Sequence, residues 1–307
     1  MVSIIVCSVD ESSRALFLQN VSNTIGLEHE FIIFDNRLKG NGICQVYNEC
    51  AERSVYEYLC FVHEDVLFGN DGWGKRIVAF LENDPLAGIV GVAGGMYVPR
   101  NFVSWNDNHE YARCNWWHLK QDGESLHYSK NPYKEQFSEV VTLDGVLLFT
   151  KKDVWRNVRF DSDVFNGFHL YDADFSLNVA TGYRNYVDQS ICLYHKSKGH
   201  ATSREYYDHL KKFHVKWKKT LPFYKDDARG MLRFRYCKEA QNISFLLGKF
   251  SEYYSLRESL KHFIAINPFG CSTIVLYLRI TKKAARLLIC QIVQKLSTGK
   301  KQCLNIQ

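Results

Sequence analysis

The sequence predicts an α/β protein: a mostly parallel sheet with helices on both faces, followed by a C-terminal helical extension. Three observations predict it. Short apolar runs rich in β-branched residues alternate with helix-length segments from Val2 to about Ala93, the signature of parallel strands joined by helical crossovers. The runs end in polar residues of specific kinds, at the position where such sheets bind ligands. The chain of 307 residues, 46% of them apolar, is enough for one large core with a smaller appendage.

Taken in order, Val2–Cys7 reads as the first strand. Its apolar run lacks a basic flank, is too short for a signal peptide, and ends at Asp10 and Glu11. A helix over about 11–25, a strand at Phe31–Phe34, a helix over about 43–54 and a strand at Tyr58–Val62 follow. A helix near 71–82 and a strand at Gly88–Ala93 complete the alternation. Residues 97–137, with Trp105, Trp116, Trp117, His118, Tyr128 and Tyr133 among many polar residues, break the rhythm and read as a long loop or lid. Regular structure resumes at Val140–Thr150, a short helix from Lys151, an acidic stretch over 160–174 and a helix to Thr181. Strands are expected at Asn185–Val187 and Ser190–Tyr194. Beyond His200 the pattern is helical, most clearly at Ser203–Lys219, so a catalytic domain over 1–200 and a helical region over 201–307 are expected.

Charge and cysteine usage narrow the function classes. The formal net charge is +6, but from Ser259 to Gln307 there are eight Lys/Arg and no Asp or Glu. Residues 1–258 therefore carry 31 basic and 33 acidic groups, which argues against a nucleic-acid partner for the body of the fold. Ten cysteines without a CxxC pair, several inside apolar runs, read as reduced thiols of a cytoplasmic protein.

Three constellations could carry chemistry. In Tyr58-Leu-Cys-Phe-Val-His63-Glu64-Asp65 an apolar strand delivers two adjacent carboxylates, which must be solvated, paired or bound to a cation. Carboxylates together with substrate phosphates are the usual ligands of Mg²⁺ or Mn²⁺, and a capped strand end is the alternative. Asp172 and Asp174 open an apolar-periodic helix, where acids also serve the helix dipole. Cys192-Leu-Tyr-His195-Lys196 ends a strand in a histidine followed by Lys196, Lys198 and Gly199, with a structural histidine as the alternative. Asp35 ends the second strand, and Ser8 and Asp10 follow the first; these could accept from a ribose or base, or form Asx turns.

In this order the motifs resemble the family 2-type glycosyltransferases of the GT-A fold, in bacterial polysaccharide or lipopolysaccharide assembly, from Val2 to about Gly199. The resemblance implies a GT-A-like catalytic domain that binds a nucleotide-sugar donor through Ser8, Asp10, Asp35, Asn48, Glu64 and Lys196. It also implies Mn²⁺ or Mg²⁺ held by Asp65 and His195, and a general base at Asp172 or Asp174. Leu143-Asp144-Gly145, with Lys151 and Lys152, corresponds to the acceptor side. His63 stands where the first Asp of D-x-D is usual, and Tyr171 replaces the acid of an E-D pair. The implied reaction is inverting transfer of a sugar, a UDP-sugar first among the donors, to a glycan or lipid-linked acceptor.

Two other classes share parts of this pattern. A sugar-phosphate nucleotidyltransferase would carry a glycine- and basic-rich loop after the first strand, where this chain has Ser8-Val-Asp-Glu-Ser. A non-catalytic glycan-binding or membrane-scaffold protein of the same fold would not hydrolyse donor. Toward the C-terminus, Arg279, Lys282, Lys283 and Arg286 follow i, i+3, i+4, i+7 spacing, with Tyr277, Ile280, Ala284, Leu287 and Leu288 on the other side. That pattern predicts an interfacial helix on an anionic membrane surface and a peripheral location on the inner face of the membrane.

Overall fold

Val2–Ser8 forms β1, buried along nearly its whole length because strands flank both its edges and helices cover both sheet faces. Asp10 then caps α1 (Glu11–Thr24), accepting from the backbone N–H of Ser12 and Ser13. The alternation continues through β2 (His29–Asp35), α2 (Ile43–Arg53), β3 (Tyr58–Val62), β4 (Val66–Phe68), α3 (Trp73–Asn83) and β5 (Ala87–Gly91). Next come β6 (Ala93–Gly95), β7 (Tyr97–Val98), β8 (Ala112–Leu119), β9 (Ser125–Lys130), β10 (Phe137–Val140), β11 (Thr142–Leu143) and β12 (Leu147–Lys151). The elements α4 (Lys152–Val158), α5 (Tyr171–Ala180), β13 (Arg184–Asp188), β14 (Leu193–His195), α6 (Arg204–Trp217) and β15 (Phe223–Tyr224) follow. This computed structural model describes residues 1–106, 110–120, 123–196, 203–224 and 235–266.

Seven strands form the main sheet in the order β10-β13-β5-β12-β3-β1-β2. Pairings β1–β2, β1–β3 and β5–β13 are parallel, whereas β12 runs antiparallel to β3 and β5, and β10 to β13. The class is the expected α/β one, with a mixed sheet. Its core joins Val2, Ile4 and Val6 to Phe17 and Val21 of α1 and to Trp73 and Ile77 of α3. Trp73 stacks on Phe68 at 3.9 Å and 7°, and a buried tryptophan of this kind contributes about 3–5 kcal/mol by truncation. The six cysteines with described side chains are free.

The segment 97–137 is not the expected loop or lid. It contains β7, β8, β9 and the start of β10, and β8 joins a second sheet ordered β11-β6-β8-β14-β4, with β9 on β8. The alternation was hidden because aromatic rings occupy both faces of this hairpin: Trp116 stacks on Tyr128 at 5.0 Å and Trp117 on His127 at 3.9 Å. The expectation of helix alone beyond His200 also fails at β15, which pairs antiparallel with β7.

Contacts divide the chain at Leu232 into two units. The second contains α7 (Arg235–Tyr253) and α8 (Leu256–Ile266), which pack through Phe250 and Phe263, 5.3 Å apart. No helix among the described residues is long and apolar enough to cross a membrane. The basic stripe Arg279–Arg286 lies outside the described residues.

Candidate active site

A cleft of about 1650 Å³ opens beyond the ends of β1 and β3 and is lined by Asp10, His63, Glu64, Asp65, Asp144, Asp172, His195 and Lys196, among others. Its floor follows from strand ends. β3 stops at Val62, the chain passes through His63-Glu64-Asp65, and β4 turns into the second sheet beside β14, with Val66 opposite His195. Lys196 N–H donates to the Asp65 carbonyl at 2.9 Å, so the two halves of the site, 130 positions apart in sequence, are joined by backbone.

His63, Asp65 and His195 form one cluster, with a ligand atom from each within 4.8 Å of the others. His195 Nε2 lies 3.3 Å and His63 Nδ1 4.0 Å from Asp65 Oδ1. Burial opposes the charge of Asp65, but the bond and charge of His195, with His63 behind it, hold its carboxyl below the ordinary range. On the other side of its ring, His63 Nε2 meets the Tyr171 hydroxyl at 2.9 Å, a partner that orients the imidazole. Two imidazoles and one carboxylate suit Mn²⁺ better than Mg²⁺, which favours oxygen ligands.

Glu64 takes a different direction from its neighbours. Only 7% exposed, it accepts from Ser8 Oγ at 2.6 Å and from the N–H groups of Val9 and Asp10 at 2.7 and 2.8 Å. It therefore fixes the turn between β1 and α1. Ser8 is buried in this bond, while Asp10 lines the cleft and caps α1.

The remaining wall depends on α5. Leu170, a buried non-glycine residue at φ 63°, turns the chain into the helix, a conformation that costs about 1–3 kcal/mol. Asp172 faces the cleft and accepts from Gly145 N–H at 2.9 Å. Burial first, then the neighbouring Asp144 charge, push its carboxyl up to about 7. Gly145 has no room for a side chain, since a Cβ there would run into the Tyr171 hydroxyl. Asp144 accepts from Trp105 Nε1 at 2.7 Å and Val146 N–H at 2.9 Å.

Asp174 does not line the cleft. It is 2% exposed and paired with Lys216 and Trp217 Nε1 of α6, each at 2.8 Å. Asn48 is likewise turned to structure, bonding Phe160 and Trp155. Asp35 is exposed and clamped by Arg37, which draws it down to about 2; its neighbour Asn36 reaches the cleft instead. Lys151 and Lys152 bond backbone carbonyls of Asp84 and Ser54 and do not line the cleft. His63 joins the cluster where the sequence resemblance leads one to expect an acid, and its place in the same triplet as Asp65 is the one local signal for it.

A family model described as a glycosyltransferase-like family matches residues 3–217. No curated protein sequence matches the chain. Among solved structures, S. aureus TarS aligns with TM-score 0.51 at 14% identity, over 87% of this chain and 81% of that one. GalNAc-T7, crystallised with UDP, GalNAc and Mn²⁺, aligns with TM-score 0.50 at 10% identity, over 71% of this chain. The alignment spans 49% of the GalNAc-T7 chain, and both likenesses are of fold. With more than half its length matched by the family model, the chain belongs to the glycosyltransferase-like family.

Proposed function

We propose that this protein is an inverting glycosyltransferase, metal-assisted, that moves a sugar from a nucleotide-sugar donor to a hydroxyl of a glycan or lipid-linked acceptor. The observation that carries the proposal is the presence of Asp172 and the His63–Asp65–His195 cluster in one cleft beyond the strand ends. Asp172, with its raised proton affinity, takes the proton of the acceptor hydroxyl as that oxygen attacks the anomeric carbon. Asp65, His195 and His63 would hold Mn²⁺, which supplies Lewis-acid neutralisation of the departing nucleoside diphosphate. Lys196 adds a cation on the same side. Glu64, by fixing Val9 and Asp10, shapes the edge against which the nucleoside packs.

A UDP-sugar stands first among donors. Thermal shift with UDP-, GDP-, CMP- and TDP-sugars plus Mn²⁺ tests this directly, since a ligand at a hundred times its Kd adds about 2.7 kcal/mol. Transfer or slow hydrolysis should then release a sugar of inverted anomeric configuration, read by NMR. Retention of configuration, or no stabilisation by any donor, overturns the proposal.

From the charge pattern of Arg279–Arg286 we also propose docking on an anionic membrane surface, at the inner face of the membrane, which would suit a lipid-linked acceptor. Co-sedimentation with anionic vesicles should weaken with salt and vanish on truncation after Asn267. Equal sedimentation of the truncated chain refutes it.

A further inference from the structure

The lysines of the cleft do not reach all of its walls. Lys196 and Lys120 line it together with Asp10, Glu11, Glu64 and Asp65, with Lys120 paired to Glu124 at 2.8 Å. The wall made by residues 102–105, 143–145 and 168–173 contributes two carboxylates, Asp144 and Asp172, and no Lys or Arg among the described residues.

The two carboxylates are held apart but in fixed relation. Gly145 N–H donates to Asp172 Oδ2 at 2.9 Å, and Val146 N–H to Asp144 Oδ1 at 2.9 Å, so one short backbone turn orients both. Each carboxylate oxygen has a second lone-pair direction, leaving both groups able to accept from hydroxyl donors in the cleft. Trp105 Nε1 donates to Asp144 Oδ2 at 2.7 Å, which fixes the indole against the same wall. Its segment is itself anchored, because Tyr206 donates to the Val103 carbonyl and His214 Nε2 to that of Phe102 at 2.7 Å. An aromatic surface beside paired hydroxyl acceptors matches a sugar ring, with one apolar face and a rim of O–H donors. A phosphate or carboxylate on the acceptor would meet the charge of Asp144, and that of Asp172 once ionised, with no Lys or Arg among the described residues of that wall.

We propose that Trp105 and Asp144 determine acceptor specificity, forming a subsite for an uncharged, hydroxyl-rich sugar ring. The ring packs on the indole while neighbouring hydroxyls donate to Asp144 and Asp172. This rests on the reading of the cleft as a glycosyltransferase site with Asp172 at the acceptor, and it adds the class of acceptor: a neutral sugar terminus, as opposed to a polyol phosphate or an acidic sugar.

Saturation-transfer NMR on the full chain with Mn²⁺ and UDP tests it, using a panel of methyl pentosides and hexosides against glucose 6-phosphate and glycerol 3-phosphate. At least one neutral glycoside should bind, and Trp105→Ala and Asp144→Asn should each weaken that binding about tenfold, the equivalent of one charge-assisted hydrogen bond. The rise in Tm caused by UDP with Mn²⁺ should persist in both variants. If Trp105→Ala does not fold, Trp105→Phe, which keeps a ring and loses the N–H, takes its place. Stronger binding of the phosphates, wild-type glycoside binding by either variant, or no glycoside binding while UDP with Mn²⁺ still raises Tm overturns the inference alone. No response of the wild-type protein to UDP and Mn²⁺ overturns the underlying reading, and the inference with it.

Discussion

The Asp144 carboxylate acts on that of Asp172 across the Asp144–Val146 turn: after burial, it is the main cause that pushes Asp172 up to about 7. The pair links local geometry to a rate. With Mn²⁺ saturating, kcat should rise with pH through about 7 as Asp172 ionises. Asp144→Asn removes the like charge and should move that limb toward acid, whereas an unmoved limb would show that Asp144 does not tune the base. Stability should follow the opposite course. The folded carboxyl retains a proton that the unfolded chain releases near 3.8, so this contribution is complete below about pH 4 and is lost as pH rises through 7. In Asp172→Asn that part of the pH dependence of Tm should disappear, and kcat should fall by about 10²–10⁴.

The Tyr171 hydroxyl at His63 Nε2 leads to a metal prediction. Partners that orient a ligating imidazole are typically worth about 10–100-fold in metal affinity. Tyr171→Phe keeps the ring packed and should weaken Mn²⁺ binding by that factor, measured by calorimetry. His63→Ala should do at least as much. Wild-type Mn²⁺ affinity in His63→Ala would remove His63 from the ligand set and leave Asp65 and His195.

Asp174 and Lys216 separate the two acids that open α5. Burial pushes the Asp174 carboxyl upward, against the pull of Lys216. Lys216→Met leaves that acid buried with Trp217 alone, and breaking such a pair costs about 3–5 kcal/mol. Because the folded acid then favours its protonated form, the Tm deficit should grow as pH rises from 5 to 8. Asp174→Asn should cost less, since Lys216 keeps Asp161 at 2.7 Å, and should leave turnover per folded molecule nearly intact. A hundredfold loss of kcat in Asp174→Asn at unchanged Tm would instead make Asp174 the base.

These residues also mark what the sequence can and cannot carry. The strand ends were legible because β1 and β3 are apolar runs that stop abruptly at polar residues, and that change needs no tertiary context. The division between Asp172 and Asp174 is partly legible too: two positions on one helix differ by about 200° around its axis, so one faces the cleft and the other is buried against α6. What escaped depends on contacts distant in sequence. Nothing near His63 announces that it joins Asp65 and His195, and Glu64 resembles a ligand until Ser8, Val9 and Asp10 claim both its oxygens. Similarly, the β8–β9 hairpin lost its alternation because Trp116 and Trp117 both find aromatic partners, on opposite faces.

Glu64 provides the last prediction. Its carboxylate accepts three hydrogen bonds from the turn that carries Asp10 to the cleft, and two of the donors are backbone N–H groups. Glu64→Leu keeps much of the volume but strands those donors, and each buried unsatisfied group costs about 1–3 kcal/mol. The turn can recover part of this by opening to water, which displaces Val9 and Asp10 from the edge of the cleft. Glu64→Leu should therefore lower Tm and weaken UDP binding together, while Mn²⁺ affinity, which we assign to His63, Asp65 and His195, should change less. Glu64→Gln retains one carbonyl oxygen for the two N–H groups and an amide that can donate to Ser8, so it should lie close to wild type in both. Calorimetric titration of UDP and of Mn²⁺ into the three proteins distinguishes this from direct ligation: a Glu64→Leu variant with intact Tm and UDP affinity but lost Mn²⁺ binding would make Glu64 a metal ligand instead of the anchor of the turn.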